Sequence, residues 1–303
     1  MKKVFLLALT IMMCSCGKNL PPGSTPDPDP DPEIPEQQDP IPINLSTSIS
    51  KATDSGFENG DKVGIYTVNY SNGVPGGLAS SGNHVDNLLF EFNGVSWKSS
   101  KQAYWKDGET HADFYCYYPY TSGISDVFAL PFSVRKDQSS TEGYKASELL
   151  WGKAENQAPS PDPVNIMTKH MMSNLLINVY PGTGYTEQDL SSEKITVNIL
   201  GVMTRALLDI TSGKVTADGG ENDIIPLRED GRWRALIVPQ TITDKELIHV
   251  TVGENSYILK TSLTFQSNKQ HSCNIIVERY GEGINIGIGE WETDDTDFGG
   301  TLE

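Results

Sequence analysis

The sequence predicts an all-β protein of sandwiches or barrels. Three observations carry this. Short apolar runs follow one another from Ile41 onward, each closed by Gly, Asn, Asp or Pro. Asn93-Gly94 stands between Leu88-Leu89-Phe90-Glu91-Phe92 and Val95-Ser96-Trp97, a strong hairpin signal. One-faced strands lie near both ends of the chain. Such a series argues for sandwiches or barrels rather than βαβ units.

The first of these one-faced strands runs from Ile41 to Lys51. Ile41, Ile43, Leu45, Thr47 and Ile49 fall on every second residue, and Pro42, Asn44, Ser46 and Ser48 fill the gaps. That alternation describes a half-buried strand. Further strands are expected at Lys62–Val68, Ala103–Trp105, Ala112–Tyr118, Phe132–Val134 and, ambiguously, Ser147–Trp151. Asn156 to Pro163 carries three prolines and reads as an inter-domain connection. Strands resume at Val164–Met167, Leu175–Tyr180, Ile195–Ile199, Ala206–Ile210, Trp233–Val238, Leu247–Val252, Ser256–Leu259 and Cys273–Val277. The last is Ile284-Asn285-Ile286-Gly287-Ile288, one-faced like the first.

What precedes Ile41 is targeting and tether. Lys2 and Lys3 start an apolar run, Val4 to Met13, too short to span a bilayer as a helix. It closes on Met13-Cys14-Ser15-Cys16. This resembles a bacterial lipoprotein signal, with Cys16 as the lipidated residue because the small Ser15 precedes it. Residues 1–16 are thus read as a signal peptide. Residues 17–40 are read as a disordered tether, since the Pro-Asp repeat Pro26 to Pro32 repels itself and cannot pack. Residues 41–163 and 164–303 are the two expected β-sandwich domains.

The 303 residues hold 23 basic and 40 acidic side chains, a formal charge of -17. Binding nucleic acid needs a basic footprint, so that class of partner is excluded. Cys116 and Cys273 lie in apolar runs and are expected as free buried thiols, with a disulfide the alternative in an oxidising compartment.

A set of short motifs then resembles one family. Lys51-Ala52-Thr53 precedes Phe57-Glu58-Asn59-Gly60-Asp61-Lys62-Val63-Gly64-Ile65-Tyr66. Trp105 precedes Asp113 to Tyr120. Lys136-Asp137-Gln138-Ser139, Ser147 to Leu150, His170 to Leu175, Val238-Pro239-Gln240-Thr241 and Ile288-Gly289-Glu290-Trp291 follow in order. The chain resembles a fimbrillin-like pilin, the type V class of surface fimbriae in anaerobic Gram-negative bacteria. The resemblance implies two tandem transthyretin-like β-sandwiches, export as an outer-membrane lipoprotein, and other fimbrial subunits as partners. A host protein or glycan receptor is a further partner of that reading.

In polymerising members a trypsin-like, arginine-specific protease removes the first strand, and a C-terminal strand of the next subunit fills the groove. By this resemblance the removable strand is Ile41 to Ile49, the cut lies between Lys51 and Ala52, and Ile284, Ile286 and Ile288 belong to the donor strand. The departure is Lys51. Polymerising members usually carry arginine there, and this chain has none before Arg135. A lysine-accepting protease, an uncut anchor capping a fimbria, and a lone surface lipoprotein are the three outcomes this leaves.

No catalytic set is found: there is no G-x-S-x-G, no phosphate-binding glycine loop and no H-E-x-x-H. No enzyme, cofactor or metal is expected. His271 and Cys273 are two ligands and not a site. Asp294 to Gly300 lacks the ligand order of a calcium loop. The competing reading is a glycan-binding surface lipoprotein of a nutrient-uptake system. Its sugar-stacking candidates are Trp97, Tyr104, Trp105, Tyr115, Tyr117, Tyr118 and Tyr120, which on alternating strands are more often core.

Overall fold

The structure, a computed structural model, describes residues 39–49, 56–278, 286–288 and 292–294. Cys16, Lys51, Ala52 and Ile284 lie outside them, as do the signal peptide and nearly all of the tether.

The described chain is almost entirely β. It opens with β1 (Leu45–Ile49), β2 (Lys62–Asn69), β3 (Val85–Phe92), β4 (Trp97–Ser99), β5 (Ala112–Tyr118) and β6 (Leu130–Ser133). A short helix α1 (Thr141–Lys145) leads to β7 (Leu150–Gln157), β8 (Val164–His170) and β9 (Ser173–Pro181). A second helix α2 (Glu187–Ser192) precedes β10 (Ile195–Met203), β11 (Arg205–Asp209), β12 (Lys214–Ala217), β13 (Glu221–Ile224) and β14 (Leu227–Glu229). The last described elements are β15 (Arg232–Ile237), β16 (Gln240–Val252), β17 (Asn255–Phe265), β18 (Gln270–Val277), β19 (Ile286–Ile288) and β20 (Glu292–Asp294).

The strands form four sheets. A seven-stranded sheet has the order β1-β8-β7-β5-β2-β3-β4, and a six-stranded one runs β14-β15-β9-β18-β19, with β20 also on β18. The other two are β13-β10-β16-β17 and β12-β11-β6.

Strands β2 and β5 explain why the middle of the first sheet reads as continuous apolar runs. Successive side chains leave a strand on opposite faces, and here both faces are covered. Val63, Ile65, Phe114 and Cys116 join one buried cluster, together with Ile43, Leu45, Trp97 and Trp105. The intervening Tyr66, Tyr115 and Tyr117 join another. That larger cluster continues through Leu208 and Ile237 to Ile275, so it is shared with the C-terminal sheets.

Sheet membership crosses residue 163. Val164–His170, read from sequence as the opening of a second sandwich, supplies β8 of the first sheet, and β6 pairs with β11. The stretch read as an inter-domain connection therefore joins two antiparallel neighbours, β7 and β8. Pro159, Pro161 and Pro163 lack the N–H a ladder needs, so they separate the two strands without separating two sheets. Gly152 lets β8 approach: a Cβ there would sit 2.5 Å from the Met167 carbonyl oxygen.

Cys116 and Cys273 are free and buried. Burial pushes the Cys273 thiol up to about 12 and raises that of Cys116 as well.

Candidate functional site

The segment 41–49 is held by two different parts of the chain running in opposite directions. At its start the Ile43 N–H donates to the Ala103 carbonyl and the Trp105 N–H donates to the Ile41 carbonyl, each at 2.9 Å. These bonds flank an antiparallel bridge between Pro42 and Tyr104. From Leu45 onward the chain pairs with β8 in parallel, Leu45 opposite Val164 and Ile49 opposite Thr168. The Val164 N–H donates to the Asn44 carbonyl at 2.9 Å. The Asn44 side-chain amide donates to the Pro161 carbonyl at 2.9 Å, and the Thr168 hydroxyl donates to the Ser48 carbonyl at 3.2 Å.

Side chains follow the period of two. Ile43 and Leu45 are buried, Ile41, Thr47 and Ile49 are partly so, and Asn44, Ser46 and Ser48 are exposed. Burial thus fades towards Ile49. Ile43 and Leu45 sit in the same apolar cluster as Trp105, Phe114, Val164 and Ile166. Trp105 stands edge-on to Phe114 with ring centres 5.2 Å apart, and its indole N–H donates to the Ser160 carbonyl at 3.1 Å.

Among the described residues β1 is an edge strand, paired to β8 alone. Its departure would bare one backbone edge of β8 and the apolar residues behind it. Such an edge is a template for another strand. At the other end of the chain, β19 and β20 run antiparallel along β18, with Ile286 opposite Val277 and Ile288 opposite Ile275.

Beside the end of β1 lies a cavity of about 360 Å³ with Ile49, Phe57, Tyr118, Tyr144 and Leu150 on its wall. Six of its side chains form three pairs: His170 with Glu148 at 3.0 Å, Arg234 with Glu229 at 2.9 Å, and Lys145 with Glu58. Among the described residues no three His, Cys, Asp or Glu side chains gather to hold a metal. Of the aromatic residues weighed as sugar platforms, Trp97, Trp105, Tyr115 and Tyr117 are core. Tyr104 is 45% exposed, and one open ring does not make a platform.

Sequence reasoning marked the first strand and Ala103–Trp105 separately and missed that they pair. It also missed the Asn44–Pro161 bond and β8 as the partner. Alternation finds a strand with a buried face, but nothing local names its neighbour.

A family model described as fimbrillin-like matches residues 50–291. A Bacteroides uniformis protein named "Putative fimbrium subunit Fim1C" is 24% identical over 259 residues, covering 80% of this chain and 81% of that protein. A Bacteroides ovatus protein named "Putative fimbrium tip subunit Fim1C" is 28% identical over 149 residues, which is 44% of this chain and 26% of the relative. Two crystal structures, each described as a "putative cell adhesion protein", share the fold. The one from Bacteroides uniformis has a TM-score of 0.63 at 19% identity, over 83% of this chain and 97% of the other. The one from Bacteroides ovatus has a TM-score of 0.66 at 14% identity, over 84% and 98%. With the family model spanning most of the folded chain, this protein belongs to the fimbrillin-like family.

Proposed function

We propose that this chain is a structural or adhesive fimbrial subunit that joins its neighbours by exchanging its first strand. It reaches the outer membrane as a lipoprotein on Cys16, with residues 17–40 holding the folded part clear of the bilayer. Cleavage after Lys51 frees Ile41 to Ile49, and a C-terminal strand from the next subunit, built around Ile284, Ile286 and Ile288, takes the vacated edge.

One observation supports this reading above the others. The first strand sits at a sheet edge, yet its Ile43 and Leu45 are part of the core. An edge position makes a strand removable, and buried apolar residues make its absence costly until another strand arrives. In the free chain β19 lies on β18, so donation requires it to leave that place first.

The test is intact mass and N-terminal sequencing of the protein taken from its native surface. A mature chain starting at Ala52 within high-mass assemblies is expected, and Lys51→Ala should abolish both. Finding nothing but a lipidated chain that starts at Cys16 would overturn the exchange reading and leave a tethered anchor or a lone surface lipoprotein.

A further inference from the structure

His271 lies in the middle of the C-terminal sheet with nothing to bond to. The residue is 5% exposed, and neither ring nitrogen has a hydrogen-bond partner. Its ring stands perpendicular to Phe265, centres 5.6 Å apart. A polar side chain buried without partners is kept only at a cost. Leucine or phenylalanine would fill the position without it.

The surroundings disfavour the charged form of the ring. On β9 the register partner of His271 is Leu175, and from β17 the neighbour is the apolar Phe265. The charge that acts on the ring is Lys269, just before its own strand. On the remaining side is β20, where Thr293 pairs with His271, and Glu292 and Asp294 pair with Ser272 and Gln270. Burial first, and the Lys269 ammonium second, hold the imidazole below its ordinary value of 6.5. The closed sheet therefore disfavours the protonated ring.

We propose that His271 is an acid-sensitive latch on the C-terminal edge, so that protonating it releases β19 and β20 from β18. An imidazolium needs water or a carboxylate on its N–H groups, and the two flanks of β18 differ in how easily they let either in. On one side β9 pairs over eight consecutive registers, from Gln270–Asn174 to Val277–Pro181. On the other, β20 holds three registers, Gln270 to Ser272, and β19 three more, Val277 to Ile275. Peeling the short strands is the easier route to hydration.

The sign follows from the depressed affinity. Above 6.5 the ring is neutral in closed and open states, and acid has no effect. Below 6.5 the open state takes up a proton more readily than the closed state, so opening becomes more favourable as the pH falls, with about tenfold per pH unit as the upper limit, until the buried ring itself titrates. The loosening stands on the sheet alone. Its meaning for assembly, acid freeing a donor strand, rests on the strand-exchange reading above.

The experiment is hydrogen exchange by mass spectrometry on the full chain from pH 7.5 to 5, with rates corrected for the chemistry of free amides. Protection at 286–288 and 292–294 should fall by up to about fivefold over the pH unit below 6.5, while that of β10 holds. His271→Leu should abolish the fall. A parent protein with flat protection, an equal fall in His271→Leu, or simultaneous loss in β10 would each overturn the latch. Should His271→Leu fail to fold, the ring resonances of the parent decide: a histidine titrating at its ordinary pH in the intact sheet would sink the proposal. None of these outcomes depends on whether subunits polymerise.

Discussion

Gln138 and Leu236 exchange two hydrogen bonds across 98 residues of chain. The Gln138 side-chain amide donates to the Leu236 carbonyl at 2.9 Å, and the Leu236 N–H donates to the Gln138 side-chain oxygen at 2.8 Å. The glutamine does the work of a missing strand. β14 pairs with β15 at Arg232 to Arg234 and stops, which would leave the buried backbone of Leu236 without a partner on that edge. The Gln138 N–H donates to the Ile225 carbonyl at 2.9 Å and so fixes the side chain's origin. Gln138→Leu keeps most of the volume and strips both bonds, leaving a buried N–H and C=O unsatisfied. A loss of about 2 to 4 kcal/mol is expected, read from the urea midpoint with unchanged slope. A neutral result would mean that water or a shifted backbone replaces the side chain.

The burial gradient along the first strand makes a second prediction. Ile43 is 3% exposed, whereas Ile49 at the other end is partly open. Ile43→Ala should lower stability by about 3 kcal/mol, within the range for buried isoleucine truncation. Ile49→Ala should cost about 1 kcal/mol or less, because less apolar surface leaves water there. The sequence alternation gives the two residues equal standing, so the comparison tests the structure rather than the pattern. Equal losses in chemical denaturation would contradict the gradient.

What the sequence disclosed and what it hid divide along physical lines. β2 and β5 were legible as apolar runs, the β3–β4 hairpin through Asn93-Gly94, and the first strand through its period of two. β12, β13 and β14 were not: Lys214–Ala217, Glu221–Ile224 and Leu227–Glu229 are short and mostly polar, and their existence depends on neighbours already in place. The helices were missed too. α2 carries a local signal, the Thr186 hydroxyl accepting from the Asp189 N–H while the Thr186 N–H donates to the Asp189 carboxylate, which an all-β reading passed over. Pairing was the least legible level. That β1 would lie parallel to β8, and that Ala103–Trp105 would grip Ile41 and Ile43, depends on packing between residues far apart in the chain. In the sequence His271 was weighed with Cys273 as a metal ligand and set aside, since two ligands are not a site. Only the fold reveals that its neighbours are apolar.

A third prediction concerns the buried charge in the first sheet. Asp113 is 2% exposed on β5. Its carboxylate accepts from the Tyr70 hydroxyl at 3.0 Å and the Asn156 N–H at 2.8 Å, and pairs with the Lys153 ammonium at 3.1 Å. Partial burial works against the lysine's charge, but bonds to Glu155, Tyr115 and Asp113 outweigh it and raise its pKa above the ordinary value. Removing one member of such a pair leaves the other charged and dry, which is worse than removing both. Lys153→Met should therefore cost about 3 kcal/mol. Asp113→Asn should cost less, since the amide oxygen still accepts from Tyr70 and Asn156. The double variant should be more stable than the sum of the singles implies, by about 1 to 3 kcal/mol, because the unpaired carboxylate is gone. Unfolding curves for the parent, both singles and the double give that coupling directly. Strict additivity would reduce the lysine to a surface residue that happens to pass nearby, and would leave Tyr70 and Asn156 as the only groups that keep Asp113 in the sheet.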